Sequence, residues 1–234
     1  MKTALVTGGN RGLGLEIVKQ LAANGFKVYL GARDEQEAQT IISQLKKQKY
    51  NVEFLKLDVL KTSDIRAAHD RIRANEGRLD VLVNNAGVFL ETLGNPDDSS
   101  IFKVDPVIML KSIETNTMGP VKLIQSFIEI MGDDARIINV SSGMGSLNEM
   151  EAYYPGYRMS KTALNAMTLM MARELGENAS VKINAVCPGW CRTDMGGDNA
   201  SRSVEEGVQG VIWLATCKNP PQGKFIRDKT EIPW

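Results

Sequence analysis

Tyr157 and Lys161 stand four residues apart just after a Pro155-Gly156 break, and a Ser141-Ser142 pair precedes them. The residues that follow, from Ala163 and Leu164 through Met167, Met170 and Leu175, keep helical spacing as far as Gly176. That spacing predicts a helix with Tyr157 and Lys161 on one face, one turn apart. An ammonium beside a phenol favours the phenolate, so Lys161 is expected to pull the Tyr157 pKa below its ordinary value near ~10 and make a general acid or base usable at neutral pH. Tyr-x-x-x-Lys alone is a weak signal, because an ordinary helix with a buried tyrosine and a solvated lysine carries it too. Tyr153 and Tyr154 are rival acids, but Pro155 separates them from the helix and their partners four residues on are Tyr157 and Arg158. Ser141 and Ser142 end a strand pattern, so their side chains should point to opposite faces.

A second constellation lies at the start of the chain. An apolar run over residues 3–7 leads into Gly8-Gly9-Asn10-Arg11-Gly12-Leu13-Gly14 and then a helix carrying Leu15, Ile17, Val18 and Leu21. Strand, glycine turn and helix make a phosphate cradle, in which helix N-terminal N–H groups face an anion that the glycines let approach. The spacing Gly8-x-x-x-Gly12-x-Gly14 differs from G-x-G-x-x-G, and a glycine turn can be only a turn. Its place at the first strand-to-helix junction is what points to a nucleotide. The next strand, 27–32, delivers Arg33-Asp34. An acidic residue about ~20 positions past the glycines suits the ribose hydroxyl of NAD, whereas arginine suits the 2′-phosphate of NADP. Arg33, with Arg11 as a second guanidinium on the same side, favours the phosphate and hence NADP.

These residues need elements to hold them. Apolar runs predict further strands over 52–59, 79–83, 136–140, 181–186 and 224–227, making seven, with helices over about 35–49, 62–76, 105–131 and 204–216 between them. The helix over 105–131 contains Asn116 and must bend at Gly119-Pro120, and residues 88–105 read as a polar loop. Strands alternating with helices predict an α/β fold, a doubly wound parallel sheet with helices on both faces, in which ligands bind at the carboxyl ends of strands. The glycine turn, Asp58, Asn85 and Ser142 all fall at such ends. No linker, repeat or low-complexity tract divides the 234 residues, so a single domain over 1–234 is expected.

Composition excludes several classes. With 28 basic and 28 acidic residues the net charge is zero, and nothing global attracts nucleic acid or an anionic membrane. The densest basic run, Lys46-Lys47-Gln48-Lys49, falls at a helix end and reads as a solvated face. No apolar run approaches the ~18 residues of a membrane span, and Met1-Lys2 runs straight into a strand pattern without a signal peptide. A soluble cytoplasmic protein is the expectation. Three cysteines fit free thiols in a reducing compartment. His69, the one histidine, sits among Asp64, Arg66, Asp70, Arg71 and Arg73, which predicts exposure. It leaves no histidine-rich metal site and no placed triad.

Taken together, Thr7-Gly8-x-x-x-Gly12-x-Gly14, Asn84-Asn85-Ala86-Gly87, Asn116, Ser142, Tyr157-x-x-x-Lys161 and Pro188-Gly189, in this order over nearly the whole chain, closely resemble the short-chain dehydrogenase/reductase family. Gly9-Asn10-Arg11-Gly12, Ala32-Arg33-Asp34, Cys187-Pro188-Gly189-Trp190-x-Arg192-Thr193-Asp194-Met195 and Phe225-Ile226-Arg227-Asp228 resemble its NADP-dependent carbonyl reductases. The resemblance implies a Rossmann-like sheet and hydride transfer between the nicotinamide and a carbonyl, with Tyr157 as proton donor and Ser142, the second serine, on the carbonyl oxygen. It also implies that Lys161 holds the nicotinamide ribose and that Asn116 orders a water joining Lys161 to solvent. The cofactor would lie against Gly8, Asn10, Arg11, Gly12, Leu13, Gly14, Arg33, Asn85, Ala86, Gly87, Tyr157, Lys161, Pro188 and Gly189, with Asp58 and Val59 bordering adenine and Thr193 hydrogen-bonding the nicotinamide carboxamide. Met144, Leu147, Met150, Tyr153, Tyr154, Trp190 and Met195 would wall a pocket for an apolar aldehyde, ketone or quinone, or else pack in an interface. The chain departs from animal monomeric carbonyl reductases, which carry a long insertion between serine and tyrosine where this chain has only residues 143–156. That leaves the long-helix interface open for a homodimer or homotetramer. An NAD-linked alcohol or sugar dehydrogenase and a non-catalytic NADP sensor are the competing readings. The first would need Asp34 at the ribose, and the intact Asn116, Ser142, Tyr157 and Lys161 set argues against the second.

Overall fold

The computed structural model describes residues 1–95 and 97–234. Strands β1 (Thr3–Thr7), β2 (Lys27–Ala32), β3 (Val52–Lys56), β4 (Leu79–Asn84), β5 (Met131–Val140), β6 (Lys182–Val186), β7 (Phe225–Arg227) and β8 (Thr230–Glu231) form one sheet in the order 3-2-1-4-5-6-7-8. All neighbours are parallel except β8, which returns antiparallel on β7. The sheet thus has eight strands rather than seven. The last is a two-residue return over polar Thr230 and Glu231, too short and too exposed to leave a periodic signal.

The helices are α1 (Gly12–Ala23), α2 (Glu35–Lys47), α3 (Thr62–Glu76), the turn α4 (Pro96–Ser99), α5 (Pro106–Ile113), α6 (Gly119–Phe127), α7 (Pro155–Leu175), α8 (Val204–Gly207) and α9 (Gln209–Thr216). Strands buried on both faces need apolar cover on both. One core joins Val6, Val28 and Val83 to Ile17, Leu21, Ile42 and Leu214 of α1, α2 and α9, and the other joins Leu5, Leu82 and Ile137 to Ile65, Ile72, Leu123 and Phe127 of α3 and α6. The strand order reverses between β1 and β4, and the crevice at that switch is where such sheets take ligands.

Several local readings differ from the sequence expectation. The helix over 105–131 is not one kinked rod: α5 passes through a π-helical turn, Glu114–Met118, before Gly119-Pro120 opens α6. Pro120 offers no N–H to the carbonyl of Asn116 and its ring crowds that carbonyl, so the ladder widens in the turn before the proline. The chain then leaves the helix early, and β5 starts at Met131 instead of Arg136. The helix over 204–216 is broken at Val208, and the third strand stops at Lys56. His69 is buried, not exposed. It lies in the seam between α3 and α6, its ring edge-on to Phe127 at 5.7 Å, with Nδ1 3.0 Å from Asp70 at the rim. Lys46 and Lys47 are exposed in the last turn of α2, and Cys187, Cys191 and Cys217 are free thiols.

Candidate active site

The carboxyl ends of β1, β2, β4, β5 and β6 border a cleft of about 430 Å3. One end is the glycine turn. Gly8 sits at φ 63° and Gly14 packs so closely that a Cβ there would strike the Gly8 carbonyl oxygen and stand 2.5 Å from Asn85 Nδ2. Asn85 is the brace of this turn: Nδ2 donates to the carbonyls of Thr7 (2.9 Å) and Gly8 (3.1 Å), while Thr7 Oγ1 accepts the N–H groups of Asn85 and Ala86. Helix α1 begins with no side-chain cap and no acidic residue in its first turn, so its orphan N–H groups and positive dipole end are left for an anion. Asn10, Arg11, Gly12 and Leu13 line the same end.

Arg33 and Asp34 both border the cleft, but they are not equivalent. Asp34 is the N-cap of α2, its carboxylate accepting from Glu37 N at 3.1 Å. Arg33 is exposed and makes no ion pair among the described residues. Arg11 does not stand free beside it: its guanidinium meets Asp194 across the cleft at 2.9 Å. Asp58, Val59, Ala86, Gly87, Pro188 and Thr193 line the remaining walls. Gly189 does not; it packs under the Arg202 side chain and shapes the turn that carries Thr193. The cleft fits a dinucleotide, with a close-approach turn, an uncapped helix end and an exposed guanidinium at the end of β2.

Tyr157 and Lys161 close the other end, and α7 brings them together as their spacing predicts. Lys161 Nζ lies 5.7 Å from the centre of the Tyr157 ring and donates to the carbonyl of Val140 at 2.8 Å. The expected lowering of the Tyr157 pKa is not what this arrangement gives. Burial pushes the phenol up to about 12, with the Ser142 hydroxyl beside it pulling the other way and Cys187 adding to the rise. Burial also pushes Lys161 down to about 8. Both groups shift toward their neutral forms for the same reason, the cost of taking a charge out of water. The two serines separate as a strand requires: Ser141 Oγ donates to Asn165 Oδ1 at 2.6 Å, turned into α7, and Ser142 meets Tyr157.

Asn116 stands just behind this end, buried in the π-helical turn. Its Oδ1 accepts from Val88 N at 2.7 Å and its Nδ2 donates to Val88 O and Ser160 Oγ. The amide thus pairs with the backbone just beyond Gly87 as a neighbouring strand would. A Cβ on Gly87 would lie 3.2 Å from Asn116 Oδ1 and 3.7 Å from Lys161 Nζ, so both groups converge above that residue. Leu147, Met150, Tyr153, Trp190 and Met195 are exposed apolar side chains on the loop before α7 and the loop after β6.

Sequence reasoning missed Phe89, whose ring lies 4.8 Å from that of Tyr157, and Glu91, which accepts from the N–H of Tyr157. The one available signal was negative: Tyr154-Pro155 offers no capping side chain for a helix start, so the cap had to come from elsewhere. Among the described residues no group of three or more His, Cys, Asp or Glu is arranged to hold a metal ion, and no helix is long and apolar enough to cross a membrane.

Residues 2–203 match the family described as short chain dehydrogenase. The NADPH carbonyl reductase 1 of Mus musculus is 30% identical over 277 residues, covering 99% of this chain and 98% of that protein. Among solved structures, the carbonyl reductase Sniffer of D. melanogaster is 27% identical with a TM-score of 0.87, covering 100% of both chains. A short chain dehydrogenase from Burkholderia cenocepacia in complex with NADP is 25% identical with a TM-score of 0.84, covering 97% of this chain and 95% of that one.

Proposed function

The chain belongs to the short chain dehydrogenase family, and from that premise we propose that it reduces the carbonyl group of a small apolar aldehyde, ketone or quinone to an alcohol with NADPH. When bound, NADPH supplies the hydride that reaches the carbonyl carbon. The observation that carries this reading is the pairing of Tyr157 and Lys161, with Ser142 beside Tyr157, at one end of a cleft whose other end is the glycine turn and Arg33.

Each residue then has a role its position suits. Tyr157, held as a neutral phenol, carries the proton given to the carbonyl oxygen. Ser142 hydrogen-bonds that same oxygen and orients it. Lys161, on the floor of the cleft, holds the ribose hydroxyls and keeps an ammonium near the oxygen on which charge develops. Asn116 Oδ1 has a lone pair left after bonding Val88 N, which suits a water shared with Lys161. The glycine turn and the α1 N-terminus take the pyrophosphate, and Asp58 and Val59 border the adenine. Arg33 takes the 2′-phosphate; Asp34, the carboxylate the NAD-linked reading needs, is engaged through Oδ1 as a helix cap. The exposed apolar side chains around Trp190 and Met195 make a rim for a hydrophobic substrate.

The test is a titration with NADPH and NADH followed by NADPH consumption against aromatic aldehydes, diketones and quinones. Tight NADPH binding, weaker NADH binding and consumption of at least one compound are expected. Equal affinity for the two cofactors would overturn the role of Arg33, and binding without consumption across a broad panel would favour a sensor over a reductase.

A further inference from the structure

On the reading that Tyr157 is the proton donor, we propose that Glu91 is its positioning residue: the Glu91 carboxylate, from the segment after β4, caps the helix that carries Tyr157 and ties it to the wall of the cleft. The start of α7 shows why it is needed. Tyr154 is the N-cap, in the left-handed region at φ 56°, and makes no side-chain cap. Pro155 has no N–H, and Arg158 N returns to the Tyr154 carbonyl at 2.9 Å. The two donors left over are the N–H groups of Gly156 and Tyr157. Glu91 Oε1 accepts both, at 2.6 Å and 3.1 Å. The backbone donors of this first turn are thereby all accounted for.

This is a costly way to cap a helix. Glu91 is 4% exposed, and its Oε2 finds no partner among the described residues, nor does Ser112 Oγ on α5 nearby. A serine or aspartate at the N-cap would satisfy the same donors from an exposed position. What the buried carboxylate adds is a link across 66 residues of sequence. The segment that carries Glu91 also carries Phe89, its ring tilted against that of Tyr157 with centres 4.8 Å apart, and Val88, whose N–H and C=O are paired with Asn116. Tyr157 is therefore gripped by ring and by backbone from the chain that runs directly on from Asn85-Ala86-Gly87, so donor and cleft wall are held in one register. Gly156 completes the fit: a Cβ there would lie 2.9 Å from Glu91 Oε1, 3.1 Å from Met109 Cα and 3.2 Å from Ser112 Oγ. The negative charge also suits the positive end of a long helix.

Glu91→Ala and Glu91→Gln test this in the full chain. Glutamine keeps an acceptor oxygen at the same reach, so it should restore both bonds, while alanine removes them. In Glu91→Ala, kcat should fall about 10–100-fold through misplacement of the donor, with NADPH affinity unchanged. Glu91→Gln should recover most of that loss. Amide exchange at Gly156 and Tyr157 should speed up about tenfold or more in Glu91→Ala and stay slow in Glu91→Gln, with the later turns of α7 unaffected. The exchange measurement needs no substrate, so it tests the cap even if wild-type turnover fails and the reductase reading falls with it. Unchanged exchange at those two amides would overturn the proposal. So would a glutamine variant as slow as the alanine one, or a loss of kcat accompanied by equal losses of NADPH affinity and overall Tm.

Discussion

Tyr157 and Lys161 titrate in opposite directions from one cause, and this decides what each can do at neutral pH. The phenol, pushed up to about 12, keeps its proton and is loaded for reduction, whereas Lys161, brought down to about 8, is close to losing its own. With Tyr157 as the acid, Tyr157→Phe should lower kcat by about 10²–10⁴-fold while Tm and NADPH affinity stay as in the wild type. A variant with near-normal kcat would remove Tyr157 from the reaction. The lysine makes a separate prediction about stability. Its folded value of about 8 lies below the ordinary 10.5, so between those two the unfolded chain binds more protons than the folded one, and stability gained from this group rises with pH across that window. Tyr157 works the other way, but only above 10, where the unfolded chain releases a phenolic proton that the fold retains. The unfolding free energy of the wild type minus that of Lys161→Met should therefore increase from pH 8 to pH 10, by on the order of 2 kcal/mol, in urea titrations at each pH. A difference that stays flat would mean Lys161 is solvated in the fold.

At the scale of elements, the strand-turn-helix unit at the start of the chain is the part whose geometry leaves least room. A Cβ on Gly14 has nowhere to go between the Gly8 carbonyl and the Asn85 amide, so Gly14→Ala must open the turn. A loss of about 1–3 kcal/mol in stability and weaker NADPH binding are expected, read by thermal melts and cofactor fluorescence. An alanine variant that binds NADPH as the wild type does would show that this turn is not the phosphate cradle. The same unit was legible in the sequence because its signals are local: an apolar run, glycines at fixed offsets and a helical stripe all act within a few residues. The Tyr157 and Lys161 pair was legible for the same reason, since one helix sets their relation. What escaped depended on residues far apart. Glu91 reaches Gly156 from another crossover, Asp194 takes the Arg11 guanidinium from the loop after β6, and His69 is buried because α6 covers it. The direction of the Tyr157 pKa escaped too. Spacing gave the neighbouring ammonium, but not how much water the surrounding elements would exclude. The π-helical turn was half legible: Gly119-Pro120 announced an irregularity, and the physics of proline puts it in the turn before, where Asn116 stands.

Across the whole molecule the charges cancel, while large apolar side chains remain exposed. Net charge is zero, so no long-range field draws partners in. Several large apolar side chains stand exposed on α5, the residues leading into it, and α7: Phe102 is 94% exposed, Leu110 65% and Met170 60%, with Ile101 and Val107 also exposed. Helices α5 and α7 pack on each other, and exposed apolar residues in such numbers on one helical layer suit a surface for another chain. We propose that a second copy does so, in a two-fold arrangement in which each helix layer meets its own counterpart. Light scattering at micromolar concentration should give a dimer or a tetramer, and the double variant Phe102→Asp, Leu110→Asp should give a folded monomer with unchanged circular dichroism. The interface would bear on chemistry, because α7 carries Tyr157 and α5 holds Met109 and Ser112 against the helix start that Glu91 caps. Loosening that layer should lower kcat more than NADPH affinity, since the cofactor end of the cleft is built from β1, α1 and β2 on the other side of the switch point. A wild-type chain that sediments as a monomer would refute the arrangement. A monomeric variant with full kcat would show instead that Glu91 and Phe89 hold the donor without help from a neighbour.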